Sequence, residues 1–158
     1  MEKIASFQVD HLRLKAGVFV SRKDRFGSLI LTTFDLRFKE PNQEPVLDQP
    51  ALHTLEHLGA TFFRSHTEWG SRIVYFGPMG CRTGFYLIVE GEVESGTILP
   101  LLREFMDWVE RFDGPIPGAS AAECGNWREQ NIDMAKWECR RYAEILRNPS
   151  EENLNYPS

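Results

Sequence analysis

The stretch 28-SLILTTFDLRFK-39 decides what kind of fold this chain can make. Toward its end Phe34, Leu36 and Phe38 fall on one face, and Asp35 and Arg37 on the other. That period of two marks a half-buried strand, because successive strand side chains point to opposite faces. Upstream, 14-LKAGVFVSRKDR-25 mixes apolar and basic positions and suggests a first strand. Gly27 lies between the two runs, so a β-hairpin is expected. Downstream, 72-RIVYF-76 is a strand candidate, and 85-FYLIVE-90 is apolar on both faces and expected at the centre of the sheet.

Helical periods fill the rest. Pro41, Pro45 and Pro50 exclude regular structure from the loop 40-EPNQEPVLDQP-50. Asp48 or Gln49 then caps a helix with Pro50 in its first turn, running to about His66. From Ser95 to Phe112, Ile98, Leu101, Leu102, Phe105, Val109 and Phe112 recur at helical spacing. After the loop 113-DGPIPGASAAECG-125, Ile132, Ala135, Cys139, Tyr142 and Leu146 form the stripe of a last helix. The expected fold class is α+β: one domain over 1–158, with a mixed or antiparallel sheet packed against helices.

Composition narrows the function. The chain has 158 residues, enough to bury about 70% of the surface its unfolded form exposes. Apolar residues make up 42% and charged residues 26%, a globular rather than disordered balance. The net charge is −5 with no dense basic run, which disfavours a nucleic-acid partner. No apolar run approaches the roughly 20 residues of a membrane span. Glu2, Lys3 and Asp10 interrupt the opening stretch, so no secretory leader is expected there. Cys81, Cys124 and Cys139 cannot all pair with one another, and a reducing, cytoplasmic setting is expected.

The capped helix carries chemistry. In 51-ALHTLEHLGA-60, His53 and His57 stand four residues apart, a spacing that puts both on one helix face. Two imidazoles so placed can reach one ion at about 2.0–2.1 Å each. Glu56 hangs beside them and can take a proton from whatever the metal binds. The order H-x-x-E-H is also a metallopeptidase signature. An isolated histidine pair at this spacing is more often solvated surface; the complete triplet in its frame of Leu52, Leu55, Leu58 and Ala60 favours metal. A catalytic metal wants a third protein ligand. His11, His66, Cys81, Cys124 and distant carboxylates are the candidates. Cys124, in a Gly-containing loop ahead of a helix, is exposed enough to reach back, and a helix N-terminus favours its thiolate. His66 reads as a surface or capping residue, and Cys139 as inert core.

Cys81 sits in the turn 77-GPMGCRTG-84, where glycines let a ligand approach the backbone. Arg82 follows it, and that charge favours a reactive thiolate. The plainer reading is a small buried hydrophobe at a tight turn. These residues alone support a metal with acid/base groups, and leave open an enzyme of that kind, a small H-x-x-E-H peptidase among them, or a binding module with a structural metal.

Five motifs in order, 6-SFQVDH-11, 34-FDLRF-38 with 41-PN-42, 53-HTLEHL-58, 77-GPMGCRTGFY-86 and 123-ECGN-126, resemble the S-ribosylhomocysteine lyases, the LuxS proteins. The resemblance covers about residues 4 to 147. It implies a metal held by His53, His57 and Cys124, and a catalytic pair of Glu56 and Cys81. Substrate contacts carried over are Ser6, His11, Arg37 and Arg64. The implied reaction converts S-ribosylhomocysteine to homocysteine and 4,5-dihydroxy-2,3-pentanedione, the autoinducer-2 precursor, with no external redox cofactor. It also implies one divalent metal per subunit, Fe2+ in the cell with Zn2+ or Co2+ able to substitute, and a homodimer with sites near the subunit interface. Leu12 stands where many members have Thr, and Tyr75 where Asp is common.

Overall fold

The computed structural model describes residues 2–158. The alternation in the opening stretch builds strand β2 (Leu29–Arg37), and the run before it builds β1 (Gly17–Phe26). The two pair antiparallel as a hairpin closing at Phe26 and Leu29. A short helix α1 (Ala5–Gln8), not anticipated from the sequence, precedes them. Strands β3 (Ile73–Pro78) and β4 (Gly84–Glu90) form a second antiparallel hairpin around the glycine-rich turn. β4 pairs with β2, so the sheet order is β1-β2-β4-β3, antiparallel throughout, and the doubly apolar run is central as expected.

Three long helices, α2 (Gln49–Ser65), α3 (Ser95–Arg111) and α4 (Ile132–Arg147), pack with the sheet around one apolar core. The Asp48 carboxylate caps α2 by accepting from the Ala51 amide, with Pro50 in the first turn, where its missing N–H costs nothing. Leu55, Leu58 and Phe63 on the inner face of α2 are fully buried, each contributing about 1.5–3 kcal/mol. Gly59 lets α2 approach β3: a Cβ there would meet the Phe76 ring at 2.2 Å. Phe76 stacks on Phe85, and Phe38 on Tyr142. The Tyr142 hydroxyl donates to the Gly17 carbonyl at 2.8 Å, tying α4 to β1. Among the described residues the molecule is thus a single small α+β domain with four helices and four strands.

One expectation needs correcting. Asp35 and Arg37 are not on an open face: they are 1% and 4% exposed. Arg37 donates from Nε to Asp35 Oδ1 at 3.0 Å and from Nη2 to Oδ2 at 2.6 Å. A forked pair of this kind satisfies both charges. That allows the C-terminal segment to fold over them, with Tyr156 stacked on Phe19.

Candidate metal centre and thiol cleft

The outer face of α2 presents His53 and His57 one turn apart. His53 Nδ1 lies 2.9 Å from the Glu129 carbonyl oxygen, and His57 Nδ1 lies 2.6 Å from that of Pro117. A carbonyl only accepts, so each Nδ1 carries the proton and donates it. Each Nε2 is left with a bare lone pair, and the two Nε2 atoms face one another at 3.0 Å. Two acceptors aimed at each other are held there by a shared proton or by a metal cation. Ligands about 2.0–2.1 Å from one tetrahedral ion stand about 3.3 Å apart, close to what is seen. Cys124 Sγ completes the group 3.4 Å from His53 Nε2, and the three donor atoms all lie within 4.8 Å of one another. Two imidazoles and a thiolate suit a borderline divalent ion, and backbone carbonyls behind both rings are the usual outer support of such ligands.

The loop between α3 and α4 is built to deliver these partners. Gly118 adopts φ +70°, and a Cβ there would stand 3.1 Å from His57 Nδ1. The Thr54 hydroxyl donates to Gln130 Oε1 and accepts from the Asn131 amide, which pins residues 129–131 to α2. This anchoring explains why α4 begins at Ile132, well after Cys124. Cys124 therefore does not sit at a helix N-terminus, as the sequence suggested. The Asn126 amide contacts its sulfur instead, donating to Sγ at 3.4 Å. Glu56 stands beside the cluster, with Oε2 3.8 Å from His57 Nε2 and about a third of its side chain open to solvent.

Cys81 occupies a separate cleft of about 520 Å³, lined among others by Ser6, His11, Arg37, Thr83 and Tyr86. Its Sγ lies 3.1 Å from Thr83 Oγ1, which accepts from Arg37 Nη1 at 2.6 Å. With one lone pair of that hydroxyl filled by arginine, its hydrogen is free to point at a thiolate. Partial burial pushes the Cys81 thiol up, but the Thr83 hydroxyl and amide and the Arg37 charge more than offset it, leaving it below its ordinary value. Arg82 holds φ 58°, a left-handed conformation uncommon outside glycine, in the same turn. His11 Nδ1 donates to the Val9 carbonyl at 2.8 Å, leaving Nε2 as its acceptor.

Of the residues singled out in the sequence, His53, His57 and Cys124 come together, and Ser6, His11, Arg37 and Cys81 line one cleft. No residue of the metal cluster lines that cleft. Arg64 stands elsewhere, donating to the Ile73 and Val74 carbonyls along edge strand β3. His66 pairs with Glu104 at 2.9 Å and accepts from the Glu68 amide, in keeping with a capping role. Cys139 is buried, and burial drives its thiol far up, consistent with inert packing. Sequence reasoning missed Thr83 and Asp35. Asp35 is two residues from Arg37 on the same strand face, a usable signal, whereas Thr83 shares with Cys81 a turn whose geometry no period encodes. The carbonyls of Pro117 and Glu129 left no signal, since any residue supplies one.

No helix among the described residues is long and apolar enough to cross a membrane. Residues 4–153 match the family model described as "S-Ribosylhomocysteinase (LuxS)". The S-ribosylhomocysteine lyase of Clostridium acetobutylicum is 54% identical over 157 residues, covering 99% of each chain. That of Desulfotalea psychrophila is 55% identical over the whole of both chains. That of Porphyromonas gingivalis is 52% identical, again over 99% of each. On this match and these identities, the chain belongs to the S-ribosylhomocysteinase (LuxS) family.

Proposed function

We propose that this chain is a carbon–sulfur lyase that converts S-ribosylhomocysteine to homocysteine and 4,5-dihydroxy-2,3-pentanedione. The observation that carries the chemistry is the pair of bare Nε2 lone pairs on His53 and His57, facing each other beside Cys124 and Glu56. A divalent metal held by these three ligands supplies Lewis acidity toward a sugar carbonyl. The protein's own groups move the protons. Cys81, as a thiolate, carries protons between sugar carbons as the carbonyl moves from C1 through C2 to C3. Glu56 accepts the C4 proton as the bond from C5 to the homocysteine sulfur breaks. Ser6, His11 and Arg37 are the proposed substrate contacts in the cleft; a guanidinium suits a carboxylate or vicinal oxygens. Arg64 is assigned to substrate through the family motif alone.

The same reading makes the working form a homodimer. Both Cys81 and Glu56 must reach one sugar, yet the thiol cleft and the metal cluster are separate in one chain. Exposed Phe7 and Val46, which line the cleft, and the neighbouring Ile4 and Leu12 support a second copy closing over it. Ferrous iron is the proposed metal, with zinc or cobalt able to replace it, since a His₂Cys set does not choose among them. A cytoplasmic setting fits unpaired Cys81 and Cys124. A peptidase needs no thiol cleft, and a purely structural metal needs no adjoining carboxylate.

The test is homocysteine release from added S-ribosylhomocysteine, followed with a thiol reagent. Cys81→Ser is expected to abolish release while metal stays bound. Mixing Cys81→Ser with Glu56→Gln is expected to restore part of the activity if one protomer's thiol serves its partner's metal. Full activity of Cys81→Ser would falsify the proton-carrier role.

A further inference from the structure

The C-terminal segment contacts Asp35, the partner of Arg37, which lines the thiol cleft. Asn153 Nδ2 donates to the Ala16 carbonyl at 2.8 Å, and the Tyr156 ring stacks on buried Phe19 with centroids 4.9 Å apart. The Tyr156 hydroxyl donates to Asp35 Oδ2 at 2.9 Å. That oxygen also accepts from Arg37 Nη2, and Arg37 Nη1 donates to Thr83, the partner of Cys81. An unbroken line of polar contacts thus runs from the tail to the thiol. Tyr156 lies outside the stretch matched by the family model, which ends at residue 153.

We propose that Tyr156 is a positioning residue for this cleft: its hydroxyl, by holding Asp35 Oδ2, fixes the Arg37 guanidinium against Thr83 and so against Cys81. The proposal rests on the reading that Cys81 is the proton carrier. The physical reason is rotational. An aspartate carboxylate turns through a broad range about its last torsion. Arg37 alone grips it through a forked pair, and the pair can swing as one unit. A second donor from a different element stops that swing. It also spreads the Asp35 charge away from Cys81, leaving the arginine field to dominate. Tyr156 is suited to donate because burial and the Asp35 carboxylate both push its hydroxyl up, keeping it neutral. The charged and titratable groups around the thiol are Arg37 and Asp35 from β2, Tyr86 from β4 and Arg82 in its own turn, with His11 and Glu44 lining the same cleft.

The test compares Tyr156→Phe with Tyr156→Leu in the metal-loaded full chain. Phenylalanine keeps the stack on Phe19 and removes only the hydroxyl. The readouts are thermal midpoint, kcat and KM for homocysteine release, and the pH midpoint of Cys81 alkylation against a Cys81→Ser background. Tyr156→Phe is expected to melt with the wild type, yet its alkylation midpoint rises by about half to one unit. The thiolate fraction below that midpoint then falls about three- to tenfold, and kcat falls with it. A Tyr156→Phe protein matching the wild type in midpoint and kcat, with only Tyr156→Leu impaired, overturns the proposal and leaves a packing role. Should Tyr156→Phe be less stable, its alkylation midpoint within its folded range decides the matter by the same criterion. An active Cys81→Ser enzyme instead overturns the reading beneath it.

Discussion

Gly118→Ala should loosen the metal although no ligand is replaced. Gly118 holds φ +70°, a region that costs an L side chain about 1–2 kcal/mol. The new Cβ would also stand 3.1 Å from His57 Nδ1, closer than such contacts normally come. Either the His57 ring or the Pro117–Gly118 backbone must then give by a few tenths of an ångström. The bond at stake is the 2.6 Å donation from His57 Nδ1 to Pro117 O, which fixes the ring's tautomer and aim. Losing outer support of this kind typically lowers metal affinity 10- to 100-fold, about 1.4–2.7 kcal/mol. The metal-free protein should meanwhile melt only about 2–8 °C lower, since each kcal/mol moves a domain of this size by about 2–4 °C. Competition with a chromophoric chelator measures the affinity, and calorimetry on metal-free protein measures the stability. Unchanged affinity in a folded Gly118→Ala protein would refute the view that Pro117 aims His57 at the ion.

The Thr83 hydroxyl is the group that chiefly draws the Cys81 thiol down, and lowering an acid's pKa extends its anion to lower pH. Thr83→Val should therefore raise the alkylation midpoint of Cys81 and move the acid limb of kcat toward higher pH. The shift should be less than about one unit because Cys81 faces solvent; a downward shift would contradict the assignment. Lys39 and Glu138, 3% and 4% exposed, form an ion pair at 2.7 Å between the end of β2 and α4. Glu138→Ala strands the ammonium in the core and should cost about 3 kcal/mol by denaturant titration, the low end of the usual range because Glu44 remains 3.7 Å away. The double change Lys39→Met with Glu138→Leu should recover most of that loss.

The secondary structure was legible where a single period governed a long run. Strand β2 alternates, and α3 keeps its apolar stripe from Ile98 to Val109, so both emerged within a residue or two of where periodicity placed them. The stripe placed α4 from Ile132, but Cys124 was set too close to its start: turn residues 125–128 and the bonds from Thr54 to Gln130 and Asn131 intervene. No local propensity encodes such a bond. The clustering of His53 with His57 was legible because helical spacing alone puts them together. Cys124 was one of several candidates until the motif ECGN was weighed with the others. The buried state of Asp35 and Arg37 was not legible, since alternation reports which face a residue takes but not what later covers it. Tyr156, 121 residues further along the chain, caps the Asp35 carboxylate with its hydroxyl.

The whole account turns on whether turnover follows metal occupancy at His53, His57 and Cys124. Anaerobically purified protein should contain one divalent ion per chain, and homocysteine release should fall in proportion as a chelator strips it and return when Fe2+ is restored. Undiminished release from protein shown to be metal-free would contradict the account.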